Sequence, residues 1–158
     1  RPCLMPSIAQ RPIRVLIADN HHRYRQTLRR ICETTDDLRV VGESEDGDRA
    51  VAMAHELRPD VIIMDVHMPI MDGIMATDQI VKSNPFTRVM ILTLAEMEND
   101  IYEAVRAGAR SYLLKETDAG DIVNAVRSVY RGEAVLSPRL LAKLFDSISA
   151  RSAGPAPG

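Results

Sequence analysis

The sequence predicts an α/β fold, an open doubly wound parallel sheet with helices on both faces. Strand-like and helix-like patterns alternate strictly, five times between residues 13 and 132. Most of the strand segments are continuous apolar runs, as strands covered on both faces must be. Five such units are too few for an eight-fold barrel, so the sheet stays open.

The elements follow in order. "IRVLIA" (13–18) is a buried strand, and Tyr24, Leu28, Ile31 and Cys32 then fall at helical spacing. "LRVVGE" (38–43) is shorter and more polar, as suits an edge strand. Val51, Ala54 and Leu57 mark a second helix, stopped at Arg58-Pro59 because a residue before proline is pushed out of the helical region. "DVIIMD" (60–65) is the third strand, and Ala76, Ile80 and Val81 lie on a helix ended by Asn84-Pro85. "RVMILTL" (88–94) is the fourth strand, with Ile101, Ala104 and Val105 on the helix before Gly108. "SYLL" (111–114) is the fifth, and Ile122, Ala125, Val126 and Val129 form the helix before Gly132. Ser137-Pro138 then suits the cap and first position of a sixth helix with no strand of its own. Leu140 or Leu141, Leu144, Phe145 and Ile148 give that helix an apolar stripe that a monomer has to cover.

The expected organisation is a flexible leader over 1–12, a domain over 13–132, a C-terminal helix and linker over 133–150, and a disordered tail over 151–158. The chain opens on Arg1, not methionine, which predicts a processed or excised piece. A net charge of −2 gives no domain-wide basic excess, so this piece is not expected to grip nucleic acid by itself. No apolar run approaches the ~20 residues of a membrane helix, and "RPCLMPSIAQRP" has no secretory apolar core. Cys3 and Cys32 lack metal-site partners, and Cys32 falls on a core stripe. A cytoplasmic location is expected.

In an open parallel sheet every strand delivers its carboxyl end to one edge, where ligands bind. That edge collects Asp19 and Asn20, Asp65, Thr93 and Lys115. One polar residue at a strand end is ordinary; this set is not. Close carboxylates resist ionising together unless a cation relieves them, and Mg²⁺ takes one or two carboxylates plus phosphate. The chain holds seventeen Arg and three Lys, yet places Lys115 at this edge, where a compact ammonium on a flexible stem reaches a single oxygen. With a Thr93 hydroxyl as donor, the set describes phosphoryl transfer to Asp65 as nucleophile.

The stretches "VLIADNHH", "RPDVIIMDVHMPIMDG", "RVMILTL", "AVRAGARSYLLKE" and "GEAVLSP" resemble, in order and spacing, the receiver domain of two-component response regulators. The likeness is to those joined to a LuxR-type helix-turn-helix in the nitrate/nitrite and nitrogen-fixation regulator family. The resemblance implies a flavodoxin-like five-stranded sheet of order 2-1-3-4-5 with five helices plus the C-terminal extension. It implies Asp65 as phosphoacceptor and Asp19, Asn20, Asp65 and the His67 backbone carbonyl around Mg²⁺. It further implies Thr93 and Tyr112 as switch residues and Lys115 as the catalytic lysine. A sensor histidine kinase would supply the phosphoryl group. The receiver would form a homodimer and control transcription through a C-terminal DNA-binding domain absent here.

Asn20 departs from the family pattern, which has a second acid there, and His22 replaces a common proline. A neutral amide predicts weaker Mg²⁺ binding and poorer phosphorylation. The alternative is an atypical receiver, a phosphorylation-independent dimerisation or ligand-sensing module. His21, His22, His55 and His67 scatter along the chain, with His21 and His22 diverging at a helix start, so no transition-metal site is expected. Met64, Met68, Met71 and Met75 are expected as core filling. Haloacid-dehalogenase-like phosphatases also use a strand-end Asp but need a second acid two residues on, where this chain has His67. A flavin site would want small phosphate-cradling residues that "NHHRYRQT" does not offer. The protein is therefore expected to be no enzyme beyond its own phosphotransfer and dephosphorylation.

Overall fold

A computed structural model describes residues 11–94 and 98–153. Cys3, residues 1–10 of the expected leader and residues 154–158 of the expected tail lie outside the described residues. Strands β1 (Ile13–Ala18), β2 (Leu38–Ser44), β3 (Val61–Met64), β4 (Arg88–Thr93), β5 (Ser111–Leu114) and β6 (Val135–Leu136) form one sheet. Helices α1 (His22–Glu33), α2 (Gly47–Leu57), α3 (Gly73–Ser83), α4 (Glu98–Ala107), α5 (Ala119–Tyr130) and α6 (Pro138–Ala153) connect and follow them. The strand order is β2-β1-β3-β4-β5-β6, and every pair is parallel.

The apolar strand runs explain the layering. Alternate residues of one strand face opposite sides. Val15, Ile17, Val61, Ile63, Met90 and Leu92 pack under α1 and α5 with Leu28, Cys32, Ile122 and Val126. Leu16, Ala18, Ile62, Met64 and Ile91 face the other way, onto Ala50 and Ala54 of α2, Ala76 and Ile80 of α3, and Ile101 and Ala104 of α4. Cys32 is fully buried in the first layer, and that burial pushes its thiol up to about 11. Asp46 and Asp72 cap α2 and α3 by accepting from Arg49 N and Met75 N at 2.7 and 2.8 Å. Gly108 and Gly132, at φ +110° and +90°, turn the chain out of α4 and α5 through a region costly for a residue with a Cβ.

Three expectations are corrected. The sixth helix does have a strand before it: β6 pairs with β5 through Ser111↔Val135 and Tyr112↔Leu136, making six strands. A two-residue strand carries no periodicity by which to read it. Helix α6 runs to Ala153, past the boundary expected at 150, because Arg151 stacks 3.8 Å above the Tyr102 ring and pairs with Glu103 at 3.5 Å. Its stripe divides: Leu140 and Leu144 bury against the α4 layer, while Leu141, Phe145 and Ile148 stay exposed. Among the methionines, Met64 and Met68 are core, but Met75 is exposed on α3.

One ion pair ties α5 to the turn before β2. Arg127 Nε and Nη2 donate to Asp37 Oδ2 and Oδ1 at 2.7 and 3.0 Å. This fork lowers the Asp37 carboxyl to about 2. A depressed carboxyl contributes stability above its unfolded value, near 4, and loses it as pH falls toward the folded value. Both groups are part-exposed, so solvent screening limits the pair to about 1 kcal/mol. Arg127→Met is expected to lose that much in urea unfolding at pH 7, with the deficit shrinking below pH 4 and gone near pH 2.

Candidate functional site at the carboxyl edge of the sheet

Strand register brings the predicted residues together. Ala18 pairs with Met64, so Asp19 and Asp65 emerge side by side from β1 and β3. The ladder continues one step further, with Asp19 N donating to Ser44 O at 3.0 Å and Asp65 N to Ala18 O at 2.9 Å. On the next strands Thr93 pairs with Leu114, and Lys115 N donates to Thr93 O at 2.8 Å. Asp19, Asp65, Thr93 and Lys115 are all buried, at 2, 4, 0 and 9% exposure.

The lysine binds the two acids into one cluster. Its Nζ lies 2.5 Å from Asp19 Oδ2 and 3.2 Å from Asp65 Oδ2. Two buried carboxylates at this range are tolerable because an ammonium is shared between them. Burial, and next the Asp19 charge, hold the Asp65 carboxyl above the usual range, with Lys115 opposing. The Thr93 hydroxyl oxygen is buried with no hydrogen-bond partner among the described residues, an arrangement that costs stability unless an acceptor arrives. Tyr112 lies on β5, 1% exposed, facing the α4 side of the sheet.

Other predicted residues lie at the rim. Asn20 is exposed. The His67 imidazole is exposed, with Nε2 3.8 Å from Asp100 Oδ2. Ile70, in the loop between β3 and α3, is exposed with φ +71°, a strained backbone for a β-branched residue.

Three contributors escaped the sequence reading. His21 and His22 diverge as expected, His22 toward Arg25 and His21 toward the acids. Asp19 Oδ1 accepts the His21 backbone N–H at 2.8 Å, a turn typical of Asp at a chain reversal. That turn leaves α1 without a side-chain cap and swings the His21 Nδ1 to 3.1 Å from Asp19 Oδ1 and 3.9 Å from Asp65 Oδ2. Asp19, His21 and Asp65 thus offer ligand atoms all within 4.8 Å of one another. An Asp two residues before a His at a strand–helix junction was the available clue. Tyr24, expected only as a core residue, donates its hydroxyl to Lys115 O at 3.2 Å. Its ring lies 4.6 Å from the Lys115 Nζ, and burial, then the two nearby carboxylates, push its phenol up. Behind them Arg25, itself buried, donates to Asp19 O at 2.7 Å and pairs with Glu43 at 3.2 Å, fixing the turn that carries the acid.

An acid pair, a shared lysine and an unpartnered hydroxyl on adjacent strand ends form an acidic pocket suited to a phosphoryl group and a cation. The sequence pattern of the response regulator receiver domain matches residues 15–127. The chain belongs to that family. It is the receiver domain of a two-component response regulator, a family that is not one of classical enzymes. The receiver is 43% identical over 140 residues to the response regulator protein VraR of Staphylococcus aureus, covering 89% of this chain and 67% of VraR. A LuxR-family two-component response regulator from Aurantimonas sp. SI85-9A1 superposes with a TM-score of 0.80 at 28% identity, over 87% of this chain and 99% of that one. A chain of the CheX–CheY–BeF3–Mg²⁺ complex from Borrelia burgdorferi gives a TM-score of 0.70 at 25% identity, over 76% and 90%. The receiver fold, with five core strands and one short addition, is that of these relatives. No helix among the described residues is long and apolar enough to cross a membrane.

Proposed function

We propose that Asp65 is the phosphoacceptor of this receiver and that Lys115, Thr93, Asp19 and Asn20 serve it. The observation that carries the reading is the Lys115 ammonium shared by two buried carboxylates beside an unpartnered buried hydroxyl. The donor set fits Mg²⁺: two hard carboxylate oxygens from adjacent strands, in a cluster that already attracts positive charge. Asp19 and Asp65, with the Asn20 amide and the His67 backbone carbonyl, would hold it. Bound there, Mg²⁺ supplies charge neutralisation for the phosphoryl oxygens.

An Asp65 carboxylate oxygen attacks phosphorus as the phosphorus–nitrogen bond of a kinase phosphohistidine breaks, and the leaving nitrogen keeps the electron pair. Lys115 moves its ammonium from the carboxylates to a phosphoryl oxygen. The Thr93 hydroxyl donates to another, gaining the partner it lacks. That inward pull, with Tyr112 behind it, biases the α4–β5–α5 face between two states.

Further parts of the reading rest on the relatives. The partner is a sensor histidine kinase, and the setting is the cytoplasm. The unit over 13–132, with its connecting helix, controls a C-terminal DNA-binding domain, in keeping with the nitrate/nitrite and nitrogen-fixation regulator type. The exposed Leu141, Phe145 and Ile148 on α6 favour a homodimer. Incubation with acetyl phosphate and Mg²⁺ is expected to add one phosphoryl group by intact mass, and none to Asp65→Asn. No gain in the parent chain, or an equal gain in the variant, favours the phosphorylation-independent receiver that Asn20 suggests.

A further inference from the structure

We infer that this receiver selects a nitrogen-accepting first-row divalent cation, for which Mn²⁺ is the probe, over Mg²⁺, with the His21 imidazole as a ligand beside Asp19 and Asp65. The inference rests on the reading above that these two carboxylates hold a cation, and it concerns which cation they prefer.

Charge at the site disfavours Mg²⁺. Affinity of an oxygen site for a hard cation follows its count of charged ligands. Asn20 brings an amide where a second acid would bring a charge, so attraction for Mg²⁺ falls. Nothing about an amide compensates for that loss.

His21 Nδ1 stands 3.1 Å from Asp19 Oδ1 and 3.9 Å from Asp65 Oδ2, and one atom from each of the three side chains lies within 4.8 Å of the others. Metal–ligand bonds of about 2.1 Å put neighbouring octahedral ligands about 3 Å apart and opposite ones about 4 Å apart. Both His21 distances fall in that range, and the remaining spacing, at most 4.8 Å, closes with a modest movement of the side chains. Lys115 contacts Asp19 Oδ2 and Asp65 Oδ2, so an ion would share Asp65 Oδ2 with the ammonium and take Asp19 through the Oδ1 that faces His21.

The His21 side chain is 53% exposed, so core packing does not dictate where the ring points. Its backbone N–H is tied to Asp19 Oδ1, and it caps nothing in α1. The Nδ1 edge is given to the carboxylates. Imidazole is a borderline donor that suits Fe, Ni, Cu and Zn best, and a nitrogen ligand strengthens binding of any first-row transition cation, Mn²⁺ the least of them, whereas Mg²⁺ keeps to oxygen and water. Loss of a hard anionic ligand and gain of a nitrogen move selectivity in the same direction.

The test compares Mn²⁺ and Mg²⁺ binding by calorimetry at one fixed pH for the parent chain, His21→Ala, His21→Gln and Asn20→Asp. Electron spin echo modulation of the Mn²⁺-loaded proteins supplies a direct readout of ¹⁴N next to the metal. A preference for Mn²⁺ that drops about tenfold or more in both His21 variants supports the inference, since even outer partners of a metal site carry that much. So does nitrogen modulation present in the parent and in Asn20→Asp but lost in both His21 variants. A Mn²⁺ to Mg²⁺ ratio equal in parent and His21 variants, or nitrogen modulation absent from the parent, overturns it while leaving Asp65 as a Mg²⁺-assisted acceptor. Failure of the parent to bind either cation overturns the cation reading itself. Unfolding curves for the two His21 variants ensure that only folded protein is compared, and either one suffices.

Discussion

Replacing Lys115 with Met is expected to cost the cation-free chain about 3–5 kcal/mol, the scale for removing one partner of a buried ion cluster. Methionine has nearly the same length and fills the same space, so the change isolates the charge. It leaves Asp19 and Asp65 buried side by side, 2 and 4% exposed, with the shared ammonium gone. The pH dependence has a definite sign. Burial and Asp19 already hold the Asp65 carboxyl above its usual range, and Lys115 is what opposes them. Without it the folded carboxyl rises further, the folded state binds more protons than the unfolded one, and stability recovers as pH falls toward the unfolded value near 4. A divalent cation at about 100 times its dissociation constant restores about 2.7 kcal/mol by mass action. Urea unfolding at pH 7 and pH 5, with and without the cation, checks all three expectations. A deficit under 1 kcal/mol that ignores pH and cation would mean the lysine does not hold the two acids in place.

Gly73→Ala is expected to damage stability and site together. A Cβ at Gly73 would lie 1.8 Å from the Asp65 carbonyl oxygen and 2.8 Å from its carbon. Both are backbone atoms, so no side chain can swing aside. The loop is also pinned, because Gly73 N donates to Val66 O at 2.7 Å. Relieving the overlap must pull the start of α3 from the end of β3, at a cost of about 3 kcal/mol or more. The same movement displaces Asp65, and a misplacement of about 1 Å costs near-attack geometry on the order of a hundredfold in rate. Phosphorylation by acetyl phosphate, measured on the folded fraction, should fall by that order. Gly120→Ala is the control, since nothing lies within 4 Å of its Cβ and alanine favours a helix. That variant should be at least as stable as the parent and phosphorylate normally.

The sheet was legible because its strands are buried on both faces. Apolar runs such as Val61–Met64 admit few other readings once Pro59 and Gly73 bracket them. The site followed from the same fact: when such a run stops, the next polar residue stands at the sheet edge, which located Asp19, Asp65 and Lys115. What could not be read depends on contacts instead of pattern. Val135–Leu136 is a strand only because β5 offers it a ladder. His21 joins the carboxylates only because Asp19 captures its N–H in a turn. Tyr24 reads as a helix-stripe residue, and its approach to Lys115 crosses 91 positions of sequence. Arg25 looks like one of many solvated arginines, yet it is buried and tied to Asp19 O.

The central claim is that Asp65, at the end of β3, receives the phosphoryl group. Borohydride reduction after treatment with acetyl phosphate and a divalent cation measures this most directly, because it converts an aspartyl phosphate to homoserine that peptide sequencing by mass can place. The account predicts homoserine at position 65 and nowhere else. Homoserine at Asp19 or another acid, or none at any position under conditions that add a phosphoryl group, would contradict it.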